Sequence, residues 1–342
     1  MVKKFKKFNI SKAKKPALIV GIVILAIVAL IATWIGVNTR PVDRGDTTEV
    51  RVDIRSGASV EEVAALLKAK KLIRDPLAFS VFARITFANI QAGTHVVSPA
   101  MSASEIIAAL RHAANTFTVT ILPELMIPEI KRSLIDQGFL EAEVDIALNQ
   151  EYDHPLLATK PGWHDLEGYI FPDTYELEAT ATVQDLFKKA FDNLYDKLRL
   201  DGSLAYMATR GVSIHETLTL ASIVAREAPK LDDQKLIAGV FWSRLDLNVQ
   251  LGADPTFKYA YAMGYCNVNG PSCQSVYNTR IHAGLPPGPI ANMRYDTIQA
   301  TLHPTDSDYF YFIAGDDGII RFARTEAEHY ANIANYCHIL CR

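Results

Sequence analysis

The sequence predicts an α+β protein in three parts: a single N-terminal transmembrane helix, a small β/α domain and a larger mixed α+β domain. Three observations carry this expectation. Residues 17–37 form an uncharged apolar run. Between residues 50 and 138 a strand followed by a capped helix recurs three times. The chain closes on two short strands, "YFYFIA" and "IIRFAR", joined by a tight Gly turn and followed by a helix that Thr325 caps. An antiparallel hairpin packed on helices makes the class α+β.

The first part begins with a basic tail, residues 1–16, carrying Lys3, Lys4, Lys6, Lys7, Lys12, Lys14 and Lys15. From Ala17 to Val37 no residue is charged, and a helix of that length crosses a hydrocarbon core of about 30 Å. Trp34 suits the interfacial aromatic belt. A secretory signal peptide has an apolar region of about 7–15 residues and a small-residue cleavage site. This run is longer, and "TWIGVNTRPV" is a poor site, so an uncleaved anchor is expected. Beyond it only Arg40 and Arg44 are near, accompanied by Asp43 and Asp46. The lysine asymmetry places the N-terminus in the cytoplasm and residues 38–342 outside, on a single-pass inner (plasma) membrane protein.

The whole chain has 342 residues, enough for about two domains. Hydrophobic residues make up 49% and charged residues 21%, ordinary for a globular protein with one extra apolar segment. A net charge of −3 argues against a general nucleic-acid binder.

Residues 38–48, "NTRPVDRGDTT", read as a linker. Residues 49–115 hold two strand–helix units, 50–73 and 90–113, with "DPLAFSVFARI" between them. The capped helices begin near Ser59 or Val60 and, in the second unit, carry Glu105. Val63, Leu66 and Leu67, then Ile106, Ile107 and Leu110, form their inner faces. Small β/α modules of this kind resemble LysM-type glycan-binding domains; the competing reading is a plain spacer. The third unit, 117–138, opens the larger domain, 116–342.

In that domain "GWHDLEGYIFPDTYELE" (162–178) has no clean period. Helices are expected over 182–200, 213–228 and 233–247. "VQLGADPTFKYAYAMG" and "YNTRIHAGLPPGPIANM" read as Gly/Pro loops. Cys266 and Cys273 bracket the turn-rich "NVNGPS", and Cys337 and Cys341 lie four apart. Two local disulfides suit an oxidising compartment, though three connectivities exist. Zinc at Cys337, His338 and Cys341 is the rival, with spacing unlike the usual CxxC knuckle. His282 and His303 lack partners at ligand spacing, so no metal is expected.

The helix "SIHETLTLASIVAREAPK" (213–230) raises a chemical question. Ser213 and Glu216 make a capping box, and Pro229 ends the helix near Glu227 or Ala228. Leu220, Ile223 and Val224 form an apolar stripe. Glu227 lies seven, four and three residues after them and so continues that stripe. Partial burial and the negative helix end both favour a protonated carboxyl, the form a general acid needs. The bland alternative is a carboxylate at the stripe's wet edge, paired with Lys230 or a neighbour.

Five segments in order, "LEGYIFPDTYEL", "LASIVAREA", "ADPTFKYA", "YNTRIHAGLPPGPIAN" and "YFYFIAGDDG" with its following Phe, Thr and Glu-His, resemble the MltG/YceG-like family of endolytic murein transglycosylases. The resemblance spans nearly the whole chain, including tail, anchor and LysM-like region. It puts the family's catalytic glutamate on Glu227, the second acidic position of "ASIVEKE"; the first is Ala225 here. Leu125 stands where the family tends to have Gly, Gly252 where Gln commonly precedes "DPT", and "NMRYD" (292–296) replaces Asn-Pro-Gly.

The family resemblance implies cleavage of the bond between N-acetylmuramic acid and N-acetylglucosamine within glycan strands, leaving 1,6-anhydro ends and terminating glycan elongation. It implies no cofactor. The implied partners are peptidoglycan strands, with penicillin-binding proteins and other wall-synthesis proteins beside them. One acid/base carboxyl suffices, because the sugar's own C6 hydroxyl attacks C1, unlike the carboxylate pair of most glycosidases. Polar neighbours for the developing charge and the N-acetyl group are sought at Glu167, Asp254, Tyr277 and Asn278. Each has a structural reading: Asp254 as a turn former before Pro255, Tyr277 and Asn278 as loop shapers, Glu167 and Asp173 as caps around "GYIFP". "GLPPGP" (284–289) is read as a rigid support. Two rival functions stay open: a hydrolase using Asp254 or Glu167 as second carboxylate, and a non-catalytic glycan-binding scaffold, which Gly252 favours slightly.

Overall fold

The computed structural model describes residues 14–112, 116–178 and 180–339. The chain divides into two compact units, Met1–Phe117 with Glu178–Thr180, and Thr118–Leu177 with Ala181–Arg342.

The first unit opens with α1 (Lys14–Asn38). Its Val20–Asn38 stretch is long and apolar enough to cross a membrane by length and composition. Then follow β1 (Val50–Ile54), α2 (Val60–Ala69), α3 (Pro76–Ile85), β2 (Gly93–Val97) and α4 (Ala103–Ala109). β1 and β2 pair antiparallel, with Val52 opposite His95. Ser59–Glu62 and Ser102–Glu105 close capping boxes on α2 and α4, as the sequence pattern requires. Val52 and Ile54 from β1, Val63 and Leu67 from α2, Phe79 from α3 and Ile106 from α4 meet in one core.

The expected linker is not free chain. Ala103 N donates to Thr39 O at 2.9 Å, and Asp43 N to Pro99 O at 3.1 Å. Arg74 donates from Nε and Nη2 to Pro41 O at 2.9 and 2.7 Å. Polar composition gave the linker expectation; backbone carbonyls captured by a distant arginine are invisible to composition.

Lying wholly or mostly in the second unit are β3 (Thr116–Thr120), α5 (Ile127–Asp136), α6 (Glu141–Asn149), β4 (Thr174–Glu178), α7 (Val183–Leu200), α8 (Ser203–Arg210), α9 (Ile214–Glu227), α10 (Leu231–Asp246), α11 (Asp254–Ala262), α12 (Tyr295–Leu302), β5 (Tyr311–Ala314), β6 (Ile320–Ala323) and α13 (Glu326–Tyr336). β3 pairs with β4, and β5 with β6 as an antiparallel hairpin. Strand β4 emerges from the stretch that showed no clean period.

Two expectations for this unit need correction. Residues 254–262, read as part of a Gly/Pro loop, are helix α11. Pro255 sits in its first turn, where a missing N–H costs nothing. The second concerns α9, read as amphipathic. Thr217 through Ala225 are all buried, and the helix packs on α10, α11 and α12. The polar-looking face is Thr217, Thr219 and Ser222. Their hydroxyls donate to the carbonyls of Ser213, His215 and Thr219 at 2.7–2.9 Å. Self-satisfied hydroxyls can be buried without cost of an unmade bond, so α9 is the axis of the core.

Candidate active site

Helix α9 delivers Glu227. Ser213 Oγ accepts from Glu216 N at 3.1 Å, and Glu216 Oε2 accepts from Ser213 N at 2.8 Å. Ala228 leaves the helix at φ −149°, ψ 140°, as a residue before proline must. Leu220, Ile223, Val224 and Ala228 are fixed in the core, so the last turn has little freedom. Glu227 itself is half-buried. Burial pushes its carboxyl up to about 7, and the charge of Asp254 adds to the rise. Lys258, Arg280 and Arg244 oppose it. A carboxyl poised there can give up and retake a proton near neutrality.

Asp254 opens α11. Its Oδ1 accepts from Arg280 Nε at 2.6 Å. Two buried hydroxyls fix this pair. Thr279 Oγ1 accepts from Ala253 N at 3.0 Å, and Thr256 Oγ1 accepts from Thr279 N at 3.2 Å. Thr256 Oγ1 also donates to Ala253 O at 2.6 Å. Gly252 N donates to Thr279 O at 3.0 Å. The "ADPT" and "YNTR" segments are therefore one assembly, carrying Asp254 and Lys258 from one side and Arg280 from the other. Gly252 has φ +67°, and a Cβ there would lie 3.4 Å from Arg244 Nη1. Arg244 is itself held by Leu251 O at 2.5 Å and Phe310 O at 2.9 Å.

Three of the expected substrate contacts are turned inward. Asn278 is fully buried. Its Nδ2 donates to Pro271 O and Cys273 O at 2.8 and 2.9 Å, and its Oδ1 accepts from Arg280 N at 3.0 Å. It organises the loop that presents Arg280, and that loop is also closed by the Cys266–Cys273 disulfide. Cys337 is disulfide-bonded; Cys341, the expected partner, lies outside the described residues. Among the described residues no group of three or more His, Cys, Asp or Glu side chains is arranged to hold a metal.

Tyr277 is buried, with its hydroxyl 3.0 Å from His164 Nε2. Its ring lies 5.0 Å from that of Tyr259. Glu167 is 0% exposed. Its Oε2 accepts from Ile127 N at 3.2 Å and from Tyr259 OH at 3.3 Å, while Oε1 has no partner. Burial pushes this carboxyl up to about 8. A carboxyl sealed from solvent, whose burial disfavours its charge, is a poor fit to a nucleophile or a charged second carboxylate. Asp173 remains exposed, its carboxylate accepting from Thr174 N and Asn193 Nδ2.

Sequence reasoning missed His164, Arg244, Lys258, Tyr259, Arg280 and Asn292. Asn292 is fully buried. Its Oδ1 accepts from Leu125 N at 2.8 Å, and its Nδ2 donates to Leu122 O at 3.0 Å. The rigid "GLPPGP" loop meets this region closely: a Cβ on Gly288 would lie 1.9 Å from His164 Nε2. A cavity of about 400 Å³ opens near the other end of α9, beside His215, Thr219, Trp242 and Pro287. Thr219 is eight residues before Glu227, roughly 12 Å along the axis at 1.5 Å per residue, so the cavity is separate from the carboxyl.

A family model described as YceG-like matches residues 52–335. The endolytic murein transglycosylase of Bacillus subtilis (strain 168) is similar at 31% identity over 308 residues, covering 84% of this chain and 85% of that protein. The endolytic murein transglycosylase of Streptococcus pneumoniae (strain ATCC BAA-255 / R6) is 27% identical over 331 residues, covering 86% of this chain. The match spans 60% of that longer relative. A crystal structure of a YceG-like protein from Listeria monocytogenes is similar with a TM-score of 0.58 and 26% identity, covering 83% of this chain and 98% of that one.

Proposed function

The chain belongs to the YceG-like family, and from that membership we propose that it is a membrane-anchored endolytic lytic transglycosylase of peptidoglycan. Glu227 is its acid/base. The observation that carries the reading is a half-buried carboxyl at the end of the core helix, pushed up to about 7 by burial and by Asp254.

In this reading protonated Glu227 donates to the oxygen that leaves C1 of N-acetylmuramic acid. The carboxylate so formed takes the proton of that sugar's C6 hydroxyl as it bonds to C1. The bond count closes with a 1,6-anhydro ring, no water is consumed, and Glu227 returns protonated. Asp254, oriented by Arg280, offers negative charge for the oxocarbenium-like centre. Tyr277, Asn278 and Glu167 act behind this surface by fixing the loops that carry it. The first unit, residues 49–115 in the sequence division, serves as a LysM-like glycan-binding module, and α1 as the anchor with residues 38–342 outside. Termination of glycan growth beside penicillin-binding proteins is the role this placement suits. The sealed position of Glu167 speaks against a hydrolase that uses it as second carboxylate; the product ends decide whether Asp254 takes that part.

Mass spectrometry of purified glycan strands digested by the protein tests the reading. Anhydro-ended internal fragments are expected. Reducing ends would indicate a hydrolase; binding without turnover would indicate the scaffold.

A further inference from the structure

Helix α3 is apolar on two faces. Ala78, Phe79 and Ala83 are buried in the core of the first unit. On another side Leu77, Val81 and Ile85 recur four residues apart and share a face, with Val81 half-buried between its two exposed neighbours. Leu77 is 63% and Ile85 62% exposed, and Phe87, just past the helix end, is 90% exposed. Phe87 has φ +48°. Its N–H donates to Arg84 O at 3.2 Å, and Ala88 N donates to Ala83 O at 2.8 Å. This is a Schellman helix end with phenylalanine where glycine is the usual residue. The left-handed conformation strains any Cβ, and the exposed ring recovers nothing through packing within the protein. A strained, outward-held aromatic beside an apolar stripe calls for an apolar surface outside the chain.

The neighbouring element says which surface. α3 packs against α1. Within Val20–Asn38 only Ile35 and Asn38 are partly buried, so the contact lies at the last turn of α1, where an anchored chain leaves the bilayer. The residues that follow are tied down through Thr39 O, Pro41 O and the Asp43 N–H. No slack separates the apolar helix from the unit.

We propose that the Leu77–Val81–Ile85 face and Phe87 lie in the interfacial layer of the bilayer, so that the first unit docks on the lipid surface beside α1. The inference rests on the reading of α1 as a membrane anchor. Interfacial elements of this kind bury an apolar face among the lipid headgroups and upper acyl chains while polar residues stay in water.

The test uses the full chain in phosphatidylcholine/phosphatidylglycerol vesicles, with and without bromine on the acyl chains, a short-range quencher of indole emission. Wild type, Trp34→Phe, Phe87→Trp and Ile85→Trp are compared. Phe87→Trp and Ile85→Trp should each add blue-shifted emission and lose a larger fraction to bromine than wild type. Trp34→Phe should lose a smaller fraction, reporting insertion of α1. Ile85→Trp keeps the strained turn intact and guards against misfolding at position 87. If Trp34→Phe behaves as expected while both introduced indoles stay red-shifted and unquenched, α1 is inserted and the docking is overturned. Added emission that is blue-shifted yet unquenched would assign the face to a second copy or another protein, which also overturns it. If Trp34→Phe and wild type are quenched alike, the anchor reading fails and the docking falls with it.

Discussion

Arg280 grips Asp254, with Nε 2.6 Å and Nη2 2.5 Å from the same carboxylate oxygen. The residue whose charge helps to raise the Glu227 carboxyl is thus restrained by a cation that lowers it. Burial is the main cause of the raised Glu227 carboxyl, and the two members of the pair adjust it in opposite directions.

Opposite pH shifts follow from removing either partner. Asp254→Asn deletes the negative charge, so the Glu227 pKa falls and the alkaline limb of the pH–rate profile moves to lower pH. Arg280→Ala deletes the positive charge and frees Asp254, so that limb moves to higher pH. Profiles of kcat for both variants that coincide with wild type would refute the coupling.

Glu227→Gln preserves shape but cannot deliver a proton. Turnover should fall at least about 10²-fold, the lower end for general acid catalysis. The melting temperature at pH 7 should not fall, since the substitution removes no packing and relieves a buried carboxyl. Anhydro-ended fragments released at near wild-type rate would place the acid elsewhere.

Glu167 makes stability pH-dependent. Its folded carboxyl is pushed from an ordinary 4.5 to about 8. Between those values the folded chain keeps a proton that the unfolded chain has released, so this group's stabilisation is full below about pH 4.5 and is lost as pH rises towards 8. Glu227 acts with the same sign up to about 7. Glu167→Gln should melt close to wild type at pH 5 and progressively above it towards pH 8. A constant difference across calorimetric scans would show that Glu167 is charged in the fold.

Gly288→Ala should be costly despite its size. The new Cβ would overlap the His164 imidazole, 1.9 Å from Nε2, and break the bond to Tyr277. Overpacking of a core costs typically about 1–3 kcal/mol. Denaturant unfolding should report a loss in that range, and a neutral result would mean that His164 can vacate the site freely.

Local chemistry was legible in the chain. Ser213 with Glu216, Ser59 with Glu62 and Ser102 with Glu105 define helix starts because a side chain and a backbone amide three residues apart meet in only one conformation. Pro229 ends α9, and the hairpin of β5 and β6 follows from its strands and Gly turn. These placed Glu227 in the last turn of its helix. Tertiary structure decided what that helix is for. Thr217, Thr219 and Ser222 look like a wet face, yet bonds to their own helix allow all three to be buried, and only packing against α10, α11 and α12 reveals it. Asp254 looked like a turn because Pro255 follows it. Thr256 and Thr279, 23 positions apart, turn the segment into a fixed helix start that presents a charge. Glu167 offered no local sign of being sealed, because its burial depends on Tyr259, 92 positions away, and on Ile127, 40 positions away. Periodicity and capping act over three or four residues and are written in the sequence. Desolvation and charge coupling act through contacts made only once the chain has folded, and they decide which carboxyl is sealed in the core and which stays half-buried at a helix end.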